Sequence, residues 1–405
     1  MIEANADRRA SLTQAFAERF GGEPTTWVRA PGRVDLMGSH TDYNEGYVLT
    51  LPIDRDVWIA ARARGDSRVG LYSQNTESGA TFDLDDISHD KATRWTDYIR
   101  GVAATLKAAT LNNETGESGE LGEKREGYPL VGFDAVVHGT IPLGGGLGSS
   151  AALEAATATL FEALGGFRLE PVRKALICQQ AENQFVEVNC GILDQYTSVV
   201  GEAGCALLLD CRDLTSRQVA LPAGPRVVIC DTKAKRELIG SPYADRRASC
   251  EAGARLLGVR ALRDVMPSLL ARRTGWLTEE VEKRCRFIVE ENWRVRSLAS
   301  ALEEDDRSAI ARLTAASFAG ARDLYEICSA EMSALYQAML AAPGVVGARQ
   351  AGAGFGGCMV AFVEETRIAD FAASVRVAYE SATGIQPEVY LVEAASGAGL
   401  LPLGG

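Results

Sequence analysis

Residues 142–156 read PLGGGLGSSAALEAA, and this run decides how the rest of the chain is placed. Three consecutive glycines, Gly144, Gly145 and Gly146, lead through Leu147 and Gly148 to Ser149 and Ser150, which open an alanine-rich stretch of helical character to about Leu164. The preceding GFDAVVHG, Gly132 to Gly139, reads as a strand. A strand, a glycine loop and a helix start in that order leave backbone N–H groups uncovered at the positive end of a helix. An anion such as phosphate is stabilised there by free amide donors and by the helix dipole. For this run two familiar alternatives lose ground: no lysine follows its last glycine, as the P-loop requires, and it does not read as the GxGxxG of dinucleotide folds with an acidic residue about 20 positions on.

Upstream, Arg29 to Ile53 reads RAPGRVDLMGSHTDYNEGYVLTLPI. Arg33, Asp35, His40, Asp42, Tyr43 and Asn44 put many directional hydrogen-bonding groups on one loop, the arrangement that a polyhydroxylated ligand needs because each buried hydroxyl must find a partner. Gly46 to Arg64 alternates apolar and polar residues in two stretches broken at Pro52 and Asp54, which predicts a pair of strands. Downstream, AGAGFGGCMVAFV from Ala351 to Val363 interleaves four glycines with small residues before a strand, a pattern for close backbone approach to a neighbour or to phosphate.

Periodicity predicts helices over about 6–20, Trp95–Ala109, Pro171–Val186, Tyr243–Leu257, Glu279–Leu302, Asp306–Tyr325 and Ile368–Ala382. Strands are predicted at Cys205–Leu209, Arg226–Asp231, Val345–Gln350, Gly357–Val363 and Glu388–Val392, and the polar run Leu111–Gly127 reads as an exposed loop. Strands adjacent in sequence and mixed with helices favour an α+β architecture. At 405 residues the chain exceeds what one core serves, so two domains are expected.

Composition excludes several functions. A net charge of −12 repels nucleic acid and anionic membrane surfaces. No run approaches the roughly 18 apolar residues that span a bilayer, and the N-terminus is polar, so a cytoplasmic location is expected. Nine cysteines without a CxxC pair and three histidines argue against a disulfide framework or a zinc centre. The chemistry therefore rests on carboxylates, hydroxyls, arginines and backbone amides.

Taken in order, the three glycine-bearing segments resemble the galactokinase branch of the GHMP kinases, the family of galactose, homoserine, mevalonate and phosphomevalonate kinases. WTDYIRGV (95–102), CGILDQY (190–196), ALLLDCR (206–212), ELIGSPYADRRASC (237–250) and ARDLYE (321–326) extend the resemblance over nearly the whole chain. It implies a domain like ribosomal S5 domain 2 over 1–215 and a ferredoxin-like domain over 216–405, with the last strand returning to the first domain. It implies ATP as co-substrate with Mg²⁺ and a galactose-like sugar phosphorylated at its anomeric hydroxyl; the oligomeric state, monomer or weak dimer, stays open. Position by position, Asp194 falls on the active-site aspartate and Arg33 beside it. Gly144 to Ser150 form the phosphate loop, with Trp95 near adenine. Ser150 and Glu182 are implied at the magnesium ion, and Ser39, His40, Asp42, Gly191 and Tyr243 at the sugar. Three positions depart from the pattern: Ser39 stands where galactokinases usually carry the glutamate associated with the C6 hydroxymethyl, Asp35 replaces asparagine, and Asn183 replaces a common histidine. Loss of the glutamate makes L-arabinose and galacturonate alternative substrates, and leaves open a rescue by Glu45. A non-catalytic sugar sensor on the same fold would lose parts of the phosphate loop; here GLGSSAALEAA, Asp194 and Arg33 are all present.

Overall fold

The computed structural model describes residues 2–111, 125–142, 144–234, 242–272 and 274–402. In chain order its strands are β1 (Thr26–Met37), β2 (Tyr47–Ala63), β3 (Arg68–Ser73), β4 (Ser78–Asp83), β5 (Thr110–Leu111), β6 (Arg125–Glu126), β7 (Phe133–Gly139), β8 (Cys205–Asp210), β9 (Ser216–Ala220), β10 (Pro225–Asp231), β11 (Val345–Gln350), β12 (Cys358–Glu364), β13 (Glu388–Val392) and β14 (Gly399–Leu400). The helices are α1 (Ile2–Phe20), α2 (Thr96–Ala108), α3 (Ser149–Gly165), α4 (Pro171–Gln180), α5 (Leu193–Val200), α6 (Pro242–Leu257), α7 (Pro267–Arg272), α8 (Glu279–Glu303), α9 (Arg307–Asp323), α10 (Ala330–Ala341) and α11 (Ile368–Thr383).

An eight-stranded sheet runs β14-β1-β2-β7-β3-β4, with β8 on β2 and β9 on β8. The second sheet, β11-β12-β10-β13, is antiparallel throughout and has the strand order of a ferredoxin-like domain. The expected α+β architecture is thus present. Helix α3 packs on β1 and β2 through a row of small residues, Ala151, Ala152, Ala155 and Ala156, all fully buried. Small side chains let the helix axis approach the sheet closely, which holds its N-terminus beside the strand that carries Arg33. Phe161, one turn further on, meets Phe133 edge-on at 5.5 Å. Burying such a ring contributes about 2–3 kcal/mol. Helix α8, 25 residues long, touches β1, β2 and β9 of the larger sheet while also packing on α9, which covers β11 of the smaller one.

The structure corrects four expectations. Gly46–Arg64 is not a strand pair: β2 is a single strand of 17 residues, paired along its length with β1. On its other side β8 pairs with residues 47–50 and β7 with 57–63, so Pro52, which has no N–H to give, lies in the gap between the two partners. Arg29 to Met37, read as part of a loop, is strand, and the loop proper is 38–46. The helix expected over Pro171–Val186 ends as α-helix at Gln180, and Ala181–Phe185 winds as a π-helix. A boundary at 215/216 would separate β9 from its own sheet, since β9 pairs with β8; the chain changes sheet between Ala220 and Pro225. The loop expected at Leu111–Gly127 lies outside the described residues over 112–124.

Candidate active site

The three glycine-bearing segments meet at one place. Gly148 caps α3 in the left-handed region (φ 75°), a conformation that strains any residue with a Cβ. A methyl group there would also stand 3.3 Å from Cγ of Arg33. The Arg33 amide donates to the Leu147 carbonyl at 2.9 Å, stitching β1 to the loop. From the other side, a methyl on Gly352 would stand 3.7 Å from the Gly146 carbonyl oxygen, and one on Gly145 3.4 Å from Sγ of Cys358. Ser149 and Ser150, in the first turn of α3, line a cavity of about 170 Å³ together with Trp95, Tyr98, Asn75 and Ile141. The Trp95 indole N–H donates to Oγ of Ser78 at 3.1 Å, which fixes the ring against that cavity.

Arg33 and Asp194 are 161 residues apart and form a two-pronged ion pair. Nε donates to Oδ1 at 2.7 Å and Nη2 to Oδ2 at 2.5 Å. The third nitrogen, Nη1, donates to the carbonyl of Gly146 at 2.5 Å. One planar guanidinium therefore ties the carboxylate to the phosphate loop, a fork geometry that lysine does not offer. Asp194 lies in the first turn of α5, and its side chain keeps 24% exposure while that of Arg33 keeps 9%. The carboxylate faces the cleft.

Around it stand the groups of loop 38–46. His40 has φ 65°, and its Nε2 lies 2.9 Å from the Ala353 carbonyl, so this nitrogen carries the proton. Nδ1 then accepts from the Tyr43 hydroxyl at 2.9 Å, and Tyr43 accepts from Tyr325 at 2.8 Å. Burial lowers the His40 pKa to about 4, so the ring is neutral at neutral pH. Burial raises Asp42 to about 6, with the Asp194 charge adding to the shift. Gly191 presses directly on Asp42: a Cβ there would fall 1.6 Å from Oδ2. Asn183 holds the Gly191 loop in place, accepting from the Cys190 amide at 2.8 Å. The Tyr243 ring lies 5.2 Å from His40 and 5.6 Å from Tyr43, and burial, then Asp42, pushes its phenol up.

The π-helix turns Glu182 inward, where the Ser150 hydroxyl bonds to its carboxylate. Gln195 donates from Nε2 to Glu182 at 2.6 Å and to Glu154 at 3.1 Å. Burial, then the charge of Asp194, raises Glu182; burial, then Glu182, raises Glu154 well above the carboxylate range. Carboxyl groups whose ionised form burial disfavours, beside the phosphate loop, suit a divalent cation that would favour that form. Among the described residues no group of three or more His, Cys, Asp or Glu side chains could hold a metal. A hydroxyl and one carboxylate, Ser150 and Glu182, would suffice for Mg²⁺, which needs few protein ligands.

Ser39, expected at the sugar, is turned elsewhere. Only 2% exposed, it donates to Oδ2 of Asp35 at 2.7 Å and accepts from Arg349 at 2.9 Å, so it faces a buried polar cluster instead of the cleft. Glu45 is held by Arg212 and Arg260 and is not free to replace the missing acceptor. Arg349, Glu291, Glu154 and Gln195 were not singled out from sequence. A charged residue inside an apolar strand, as in VVGARQ, is the signal that marks Arg349; Gln195 directly follows Asp194 in CGILDQY.

Three family models match: a galactokinase galactose-binding signature over residues 14–63, the GHMP kinase N-terminal domain over 99–202 and the GHMP kinase C-terminal domain over 298–380. The chain is 41% identical over 387 residues to a galactokinase of Chloroflexus aggregans, covering 94% of this chain and 95% of that one. It is 39% identical over 393 residues to a galactokinase of Roseiflexus, with 96% of each covered. The fold superposes on the crystal structure of Lactococcus lactis galactokinase complexed with galactose with a TM-score of 0.87 at 31% identity, covering 97% and 99% of the two chains. A mevalonate kinase of Methanococcus jannaschii, at 14% identity and TM-score 0.63 over 93% and 99%, shares the fold.

Proposed function

Because the chain belongs to the galactokinase family, we propose that it transfers the terminal phosphoryl group of ATP to the anomeric hydroxyl of a galactose-configured sugar, galactose first. The observation that carries this reading is the three-way grip of Arg33 on both oxygens of Asp194 and on the Gly146 carbonyl, which joins the sugar side of the cleft to its phosphate side.

The sugar is held by Asp42, the Gly191 backbone, Tyr243 and the rigid His40–Tyr43–Tyr325 chain. Its anomeric oxygen attacks the γ-phosphorus as the bond to the β–γ bridging oxygen breaks, and its proton passes to Asp194. Arg33 is placed to meet the charge that develops on the transferred group, and the Gly144–Ser150 amides to hold the phosphates. Trp95 and the cavity beside it accept the adenine. Ser150 and Glu182 would hold Mg²⁺, whose contribution is to neutralise phosphate charge. A cytoplasmic location is part of this proposal, supported by the use of ATP as co-substrate; none of the described helices is long and apolar enough to cross a membrane.

A second reading, L-arabinose or galacturonate as the preferred sugar, is favoured by one observation: Ser39 is bonded to Asp35 and Arg349, and Glu45 to Arg212 and Arg260, so neither stands in for the glutamate usual in the family. ADP release with MgATP and D-galactose, L-arabinose, D-galacturonate, N-acetylgalactosamine or D-glucose, compared by kcat/KM, decides. Galactose is expected to lead, with glucose lowest. A lead for arabinose or galacturonate would move the assignment, and no ADP release with any sugar would refute the kinase.

A further inference from the structure

The cluster behind Ser39 joins the two sheets across the sugar loop. Arg349 of β11 is fully buried and has its guanidinium spread over four partners: Nε donates to Ser317 at 3.0 Å, Nη2 to Ser39 at 2.9 Å and to Glu291 at 3.3 Å, and Nη1 to the Asp35 carbonyl at 3.4 Å. The Asp35 carboxylate lies 3.7 Å from the same guanidinium. Glu291 is in turn held by Arg294 at 2.7 Å. Two guanidiniums and two carboxylates are enclosed together, a balance that makes burial of each tolerable. Oδ1 of Asp35 has no hydrogen-bond partner, and burial raises this carboxyl while the Arg349 charge and the Ser39 hydroxyl oppose the shift, so its ionised form depends on those two neighbours.

This cluster fixes the two ends of loop 38–46. Glu291 lies 3.4 Å from the Gly38 amide, and its neighbour Asn292 accepts from the Tyr47 amide at 2.9 Å. Four residues beyond Arg349, the Ala353 carbonyl receives the proton of His40. The second half of the chain therefore sets the position of the sugar loop through β11 and α8.

We infer that Asp35, Ser39 and Arg349 form one positioning unit for the sugar loop, in which residues 35 and 39 are coupled: the counter-charge to Arg349 sits on residue 35 because residue 39 supplies only a hydroxyl. A carboxylate on residue 39 and an amide on residue 35 would keep the charge count of the cluster, whereas either change alone upsets it. The effect on sugar binding rests on the sugar-kinase reading; the coupling does not.

The test compares Asp35→Asn, Ser39→Glu, the double variant and Ser39→Ala by thermal melting and by separate KM values for galactose and ATP. Asp35→Asn is expected to raise the sugar KM at least about tenfold with the ATP KM within about threefold, and to lower Tm; Ser39→Ala has a smaller effect on both. The double variant is expected to return within about threefold of the unsubstituted protein in sugar KM and to regain Tm. A double variant no better than Asp35→Asn, a sugar KM unmoved by Asp35→Asn, or equal changes in both KM values overturns the proposal. Should both chains bearing Ser39→Glu fail to fold, Arg349→Met added to Asp35→Asn decides: Tm recovers if the lost charge balance is the cause, and falls further if it is not. If the unsubstituted protein releases no ADP with any sugar, the functional reading fails while the recovery of Tm still judges the coupling.

Discussion

Asp194 gives both oxygens to one arginine and still faces the cleft, which separates its two possible contributions, charge and proton acceptance. Asp194→Asn is nearly isosteric but turns an NH₂ toward the Arg33 donors and removes the proton acceptor. It is expected to lower kcat by more than about tenfold while the sugar KM changes far less. Turnover above a tenth of the unsubstituted rate would end the case for Asp194 as base. At this scale the sequence was uneven. Arg33 and Asp194 came from the family resemblance, because residue spacing carries no information about a contact across 161 positions. Ser39 is assigned to the sugar only by its place in the family pattern, where a glutamate is usual, and only the fold reveals the buried arginine that takes its hydroxyl.

The loop that holds His40 and Asp42 is an element whose two titrations oppose each other. His40 titrates near 4 in the fold and near 6.5 when unfolded, so between those values the unfolded chain binds more protons, and its contribution to stability is lost as pH falls through that window. Asp42 titrates near 6 in the fold against 3.8 unfolded, so the folded form binds more protons there and its contribution is lost as pH rises. Each is worth about 3 kcal/mol, and they nearly cancel between about pH 4 and 6. Asp42→Asn unmasks His40: its denaturation midpoint should fall more steeply from pH 6.5 to 4.5 than that of the unsubstituted protein, and equal slopes would disprove the opposition. Long amphipathic elements such as α8 were legible. Helix α10 was not, because its apolar residues surround it, with Leu340 exposed while Met332, Leu335 and Met339 are buried. Strands β3 and β4 are six residues each, contain glycine and are stabilised by pairing with each other and of β3 with β7, which local pattern does not display.

For the whole molecule, the expectation of two domains followed from length, but the place where they meet did not. Their junction is made by buried charges and by carbonyls of glycine loops, features with no periodicity. Since the sugar loop is gripped from both sheets, a sugar bound under it stabilises the entire chain. Galactose at about 100 times its Kd is expected to add about 2.7 kcal/mol and raise Tm by a few degrees, while glucose at the same concentration does not; an unchanged melting curve with galactose would argue against the site. Among the described residues, strand β1, which carries Arg33, has its outer edge closed by β14, through Val28 with Leu400 and Arg29 with Gly399. During synthesis at about 5–20 residues per second, that edge waits on the order of 20–70 seconds for its partner. In that interval the charge of Arg29 and the missing N–H of Pro31 make this edge a poor template for pairing with a neighbouring nascent chain.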